Sequence, residues 1–102
     1  MANSSLQELC DLVNQIPEGR VSSYGALGRA LRNPVSGLIV GRWMSQSPPD
    51  IPWWRVVGAN GQFPVGKRDP QLEQEQRDRL RAEGVALDGD SVGLEAYWDP
   101  SD

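Results

Sequence analysis

At 102 residues the chain is long enough for one hydrophobic core and short for two. It has no histidine and a single cysteine, Cys10, which excludes Cys/His metal sites, a histidine general base and an internal disulfide. The net charge of −4 is unevenly spread: residues 20–68 carry seven cations against Asp50 alone, while both flanks are acidic. A basic middle of this kind can build one positive face on an acidic protein, although solvated scatter gives the same count. No run approaches the ~20 apolar residues of a membrane span, and the N-terminus lacks a basic-then-apolar leader. The expectation is a cytoplasmic protein without membrane contact, metal or cofactor.

The first helix is expected from about Ser5 to Gln15, capped by Ser4 or Ser5 and stopped before Pro17. Leu6, Leu9, Cys10, Val13 and Ile16 recur at helical spacing, so Cys10 reads as a small core side chain and not as a nucleophile. "PEGRVSS" is a turn leading into a brief extended segment. A short helix follows in "SSYGALGRALRN", with Ser22 or Ser23 as N-cap and Tyr24, Leu27, Ala30 and Leu31 on its apolar face. Asn33 is then expected to cap a third helix opening at Pro34, a favoured first position for proline. That helix would carry Gly37 and Gly41 in its interior, each costing about 1 kcal/mol relative to alanine. Two glycines four apart serve either close approach by a partner or tight packing on a neighbouring helix, and the spacing alone leaves both open.

Two short helices joined by a turn make a helix-turn-helix candidate whose second helix would be the recognition helix. "RVVGANGQF" is expected to form a hairpin, with Val56 and Val57 in one strand and Gln62 and Phe63 in the other. A last helix should run from Pro70 to Glu83, capped by Asp69 and stopped by Gly84. Residues 88–102 form an acidic tail, with Leu94, Tyr97 and Trp98 as anchors on the body. The fold class expected is mainly α with a small β-hairpin, a winged-helix-like DNA-binding unit, the chain being a single domain over 1–102.

The order "GRVSSYGALGRAL", "NP", "IPWWRVV", "ANG", "KRDP", "QRDRLRAEGV" resembles the DNA-binding domain of the O6-alkylguanine-DNA alkyltransferases over about residues 5–87. Those proteins carry Pro-Cys-His-Arg where this chain has Pro52-Trp53-Trp54-Arg55. Trp53 stands at the position of the alkyl-accepting cysteine and Trp54 at that of the activating histidine. The pattern is similar to the alkyltransferase-like subfamily, in which tryptophan replaces the reactive cysteine. That subfamily more often shows Pro-Trp-His-Arg, so Trp54 is a departure, and Glu83 would have no histidine to orient.

The resemblance implies a partner, double-stranded DNA containing O6-alkylguanine, gripped in the minor groove by the helix-turn-helix with the damaged nucleotide flipped out. It implies a lesion pocket built from Pro52, Trp53, Trp54, Val56 and Arg68, with Val57 and the Phe63-to-Arg68 loop completing it. Arg68 would sense the altered base by a cation–π contact. It implies DNA contacts at Tyr24, Asn33, Ser36, Gly37, Leu38, Gly41, Arg42 and Lys67, Tyr24 rotating the phosphate beside the lesion. On residue type alone Tyr24 reads as a half-buried helix residue, and Lys67 and Arg68 as solvated loop charges. Where the family places an arginine finger, this chain has Leu38, an apolar wedge, with Arg42 one turn later. Arg55 is expected to tie its segment to neighbouring carbonyls.

The reading is therefore a monomeric, non-enzymatic sensor that marks lesions for nucleotide excision repair proteins. Two alternatives stand beside it: a repair enzyme, alkyltransferase or glycosylase, with another nucleophile, and a winged-helix regulator reading the major groove.

Overall fold

The computed structural model describes residues 4–46, 50–67, 69–89 and 91–100. Arg68, named above for the pocket, lies outside them, as do the side chains of Lys67 and Leu94. α1 spans Ser4–Gln15 and turns Leu9, Cys10 and Val13 inward, with Ile16 buried just after its end. α2, Tyr24–Ala30, starts where the Ser23 hydroxyl accepts from the Ala26 amide at 3.0 Å, an N-cap that satisfies one open N–H of the first turn.

α3 differs from its expected start. It spans Gly37–Met44, and its N-cap is Ser36, whose hydroxyl accepts from the Ile39 amide at 3.4 Å. The Val35 amide is already committed to the Gly28 carbonyl (3.2 Å), which also accepts from Leu31, so the connecting turn extends through Asn33 and Pro34. Both of those residues are exposed in that turn. Gly37 thus opens the helix instead of interrupting it, and only Gly41 is a true interior glycine.

The expected hairpin over residues 56–63 does not form. β1 (Ser22–Ser23) pairs in parallel with β2 (Val56–Val57), Ser22 opposite Val56 and Ser23 opposite Val57. The Asn60-Gly61 turn does close, with Gly58 donating to the Gln62 carbonyl at 2.9 Å. Phe63 then enters a 3-10 turn over Pro64–Lys67, because proline has no N–H to continue a ladder. The antiparallel hairpin lies further on, where β3 (Leu87–Asp88) pairs with β4 (Ser91–Val92) inside the stretch expected to be a plain acidic tail. The expected anchor Tyr97 holds: its hydroxyl donates to the Gly58 carbonyl at 2.8 Å, and Val21 forms a parallel bridge with Tyr97.

α4, Pro70–Ala82, is capped as expected by Asp69, whose carboxylate accepts from the Gln71 and Leu72 amides. It ends at Gly84, whose φ of +88° is the left-handed conformation glycine adopts freely. The Val85 amide donates to the Leu80 carbonyl and the Gly84 amide to that of Arg81, while Leu80 and Val85 pack in one cluster.

β2 divides the core. Successive strand residues face opposite sides, so Val56 joins Leu9, Val13, Ile16, Leu27, Leu31, Val40 and Ile51. Val57 joins Val21, Phe63, Leu80, Val85, Val92 and Ala96. The first cluster seats the helix-turn-helix and the second seats α4 and the C-terminal hairpin. The Pro-Trp-Trp-Arg turn, a 3-10 helix over Trp53–Arg55, enters β2 directly and stands at the junction.

Candidate functional site

α2 and α3 meet by backbone contact. A Cβ on Gly37 would stand 3.1 Å from the Gly25 amide nitrogen, and one on Gly28 would stand 2.3 Å from the Val35 carbonyl oxygen. Tight helix packing therefore accounts for Gly37. It does not account for Gly41, where an added Cβ would first meet the Tyr24 ring at 3.9 Å, an ordinary contact.

The outer faces of these helices and the segment after β2 enclose a cleft of about 720 Å³. Its walls are Tyr24 and Gly25 from α2, Gly37, Leu38, Gly41 and Arg42 from α3, Ser45 just beyond, and Ala59, Pro64 and Val65 opposite. The volume falls in the ~300–1,000 Å³ range of sites that take small organic groups. Among the described residues the lining contains no acid, no cysteine and no histidine. Arg42 stands in it, and the Arg29 guanidinium lies beside Gly25, 3.4 Å from where a Cβ there would be. Leu38 is 75% exposed at the rim and, among the described residues, is the large apolar side chain left in solvent.

Five of the residues expected to contact DNA (Tyr24, Gly37, Leu38, Gly41 and Arg42) are thus brought together around one cavity. Ser36 caps α3 beside them, and Asn33 sits apart in the preceding turn. Of the expected pocket residues, Pro52, Trp53 and Trp54 are half-buried in or beside the 3-10 turn, and Val56 is fully buried in the first cluster. None of the four is in the lining of the cleft. Val65 and Pro64 lie within the loop expected to complete the pocket. Gly25, Ser45 and Ala59 also line it and were not among the expected residues.

The second tryptophan has a partner that spacing did not suggest. The Trp54 indole N–H donates to Glu83 at 2.8 Å, while Arg55 places Nε and Nη2 on the same carboxylate and Nη1 on the Ile16 carbonyl. The Gly19 amide adds a further bond at 3.0 Å. Burial alone would raise the Glu83 carboxyl, but the bonds from Arg55, Gly19 and Trp54 outweigh it and hold the group below the usual glutamate range. Arg79 lies over the Trp54 ring at 4.5 Å, and Trp53 meets Trp54 edge-on at 6.1 Å between centroids. Buried Gln76 completes the frame, donating from Nε2 to the Trp54 and Val56 carbonyls. Glu83 thus orients an indole where the resemblance offered it no histidine, and the signal available was that an indole N–H needs an acceptor.

Cys10 stays on the inner face of α1, 8% exposed, and does not line the cleft. Burial pushes its thiol up from the ordinary value, with Asp11 and Asp50 adding to the shift, which opposes thiolate formation. Among the described residues no group of three or more His, Cys, Asp or Glu is placed to hold a metal ion, and no helix is long and apolar enough to cross a membrane.

Residues 5–85 match the family model described as the DNA binding domain of 6-O-methylguanine DNA methyltransferase. The chain is 40% identical over 86 residues to alkyltransferase-like protein 1 of Schizosaccharomyces pombe, covering 81% of this chain and 78% of that one. It is 30% identical over 99 residues to the DNA base-flipping protein of Vibrio parahaemolyticus, covering 93% and 96%. Its fold aligns at a TM-score of 0.81, with 34% identity over 96% of this chain and 97% of the other, with a crystal structure of the S. pombe protein in complex with damaged DNA containing O6-carboxymethylguanine.

Proposed function

The chain belongs to the family of the 6-O-methylguanine DNA methyltransferase DNA-binding domains, and from that premise we propose that it recognises O6-alkylguanine in duplex DNA without repairing it. α3 enters the minor groove, the damaged nucleotide is extruded into the cleft, and the occupied complex marks the lesion for nucleotide excision repair. Extrusion costs a few kcal/mol of stacking and pairing, less at a damaged base, which favours lesions over intact guanine.

The observation that carries this reading is an open cleft with several helix-turn-helix residues around it and, among the described residues, no thiol or imidazole in it. Gly41 keeps the face of α3 low enough for a narrow groove. Tyr24 presses on the phosphate beside the lesion, and Arg42 and Lys67 neutralise phosphates. The apolar walls at Val65 and Pro64 suit an alkyl substituent. Pro52, Trp53 and Arg68 are assigned to the site from the motif: Trp53 fills the position of the family's acceptor cysteine, and an indole cannot take an alkyl group by thiolate displacement. Trp54 serves the frame through Glu83. With Cys10 in the core and no histidine in the chain, binding has no transfer step to follow it.

Duplexes with and without O6-methylguanine, titrated with the protein and then digested to recover the base, test this. Tighter binding to the damaged duplex with full recovery of O6-methylguanine is expected. Loss of the methyl group would make the protein an enzyme, and equal binding to both duplexes would make it a general DNA-binding protein.

A further inference from the structure

Leu38 occupies the second position of α3, at the mouth of the cleft, and is 75% exposed. Leaving a leucine in water is unfavourable by roughly the free energy gained on burying it, so its place at a DNA-facing rim calls for an occupant. Its neighbours Gly37 and Gly41 add no side chain beside it. Resting on the reading above, extrusion of a nucleotide opens one gap in the stack, and the apolar side chain nearest the cleft mouth is the group able to fill it. Apolar wedges inserted from the minor groove replace stacking in this way.

What a leucine brings to that gap is dispersion and dehydration alone. It has no donor or acceptor, so it makes no hydrogen bond to the base left without a partner. We propose that Leu38 makes this protein blind to the base opposite the lesion: the site reads the extruded alkylated base and accepts any partner across from it. Arg42, one turn further along α3, holds phosphate, so its contribution is uniform across opposing bases. A protein of this kind recognises a lesion equally well before replication, paired with cytosine, and after it, paired with thymine. The residual variation follows only the stability of the pair that must be opened.

The test is a series of duplexes carrying O6-methylguanine opposite cytosine, thymine, adenine or an abasic site, each with an undamaged guanine control and a measured duplex melting stability. Once the difference in pair stability is subtracted, affinities within about 3-fold of one another are expected, because a base-edge contact would separate them by about 5-fold to 150-fold. Leu38→Arg, at an exposed position where folding is not at risk, should introduce dependence on the opposing base of about 5-fold or more. Arg42→Ala should weaken every duplex by one common factor and reduce the salt dependence.

A spread of 10-fold or more across opposing bases in the unaltered protein overturns the proposal, as does an Arg42→Ala loss confined to one opposing base. Equal binding of damaged and control duplexes would instead defeat the reading on which it rests, so the two failures are distinguishable.

Discussion

The α2–α3 face and the α4 face are assembled by different means. α3 meets α2 backbone to backbone, with Gly37 against Gly25 and Gly28 beneath Val35. α4 meets the Pro-Trp-Trp-Arg turn through polar side chains: Glu83 on Trp54 and Arg55, Gln76 on two carbonyls, Arg79 over the indole. Glycine contacts bring two helices close and leave the outer surface low, which suits a helix that must enter a groove. Charged clamps fix a short irregular segment that no long strand or helix could hold. On the proposed function the low face is the one that receives DNA, and the clamped one keeps the Pro-Trp-Trp-Arg turn in place.

The largest effect should come from removing the clamp. The Arg55 and Glu83 side chains are 15% and 11% exposed, so Glu83→Ala leaves a guanidinium and an indole N–H buried without their acceptor. A loss of about 3 kcal/mol in urea denaturation is expected, as for breaking other buried pairs. A loss below about 1 kcal/mol would mean that packing, not polar contact, holds the α4 face.

Gly28→Ala attacks the other face. Its Cβ would fall 2.3 Å from a backbone oxygen, which cannot rotate away, so α2 and α3 must separate. A cost of roughly 2 kcal/mol, in the range for overpacked cores, is expected, with weakened DNA binding.

Acid should distinguish the faces too. The Glu83 carboxyl titrates below its ordinary value near 4.5 in the folded protein. Its stabilisation is therefore complete above that value and is lost as pH falls through the depressed folded value. Stability measured on that acid limb should fall less steeply in Glu83→Gln than in the unaltered protein. Identical limbs would remove Glu83 from the account.

Smallest in stability but sharpest in meaning is Gly41→Ala. The added methyl has room and the helix gains propensity, so stability should rise by up to about 1 kcal/mol. Affinity for damaged duplex should nonetheless drop, since the methyl stands on the face that meets DNA. Unchanged affinity would show that Gly41 is a packing residue like Gly37.

Much of the fold is legible in the amino-acid sequence. Helical periodicity in α1, the serine cap of α2, and the Asp69-to-Gly84 bounds of α4 all rest on local interactions, and the structure agrees with them. The misses were tertiary. The start of α3 moved three residues because the Gly28 carbonyl claims the Val35 amide, a contact between two helices. The hairpin expected at Asn60-Gly61 lost to pairing between segments more than thirty residues apart, and its actual place at Leu87–Val92 was hidden within an acidic stretch. For the site, the motif located the turn and half of the cleft. The Glu83–Trp54 bond, the buried role of Gln76 and the small residues lining the far wall depend on which surfaces meet, and no periodicity encodes that.

A crystal structure of the protein bound to a duplex containing O6-methylguanine bears on the central claim most directly. The account predicts the methylated base outside the helix in the cleft between α3 and the Ala59–Val65 segment, its methyl still on O6, with Leu38 in the vacated stack. A base still paired within the duplex, or α3 seated in the major groove, would contradict it.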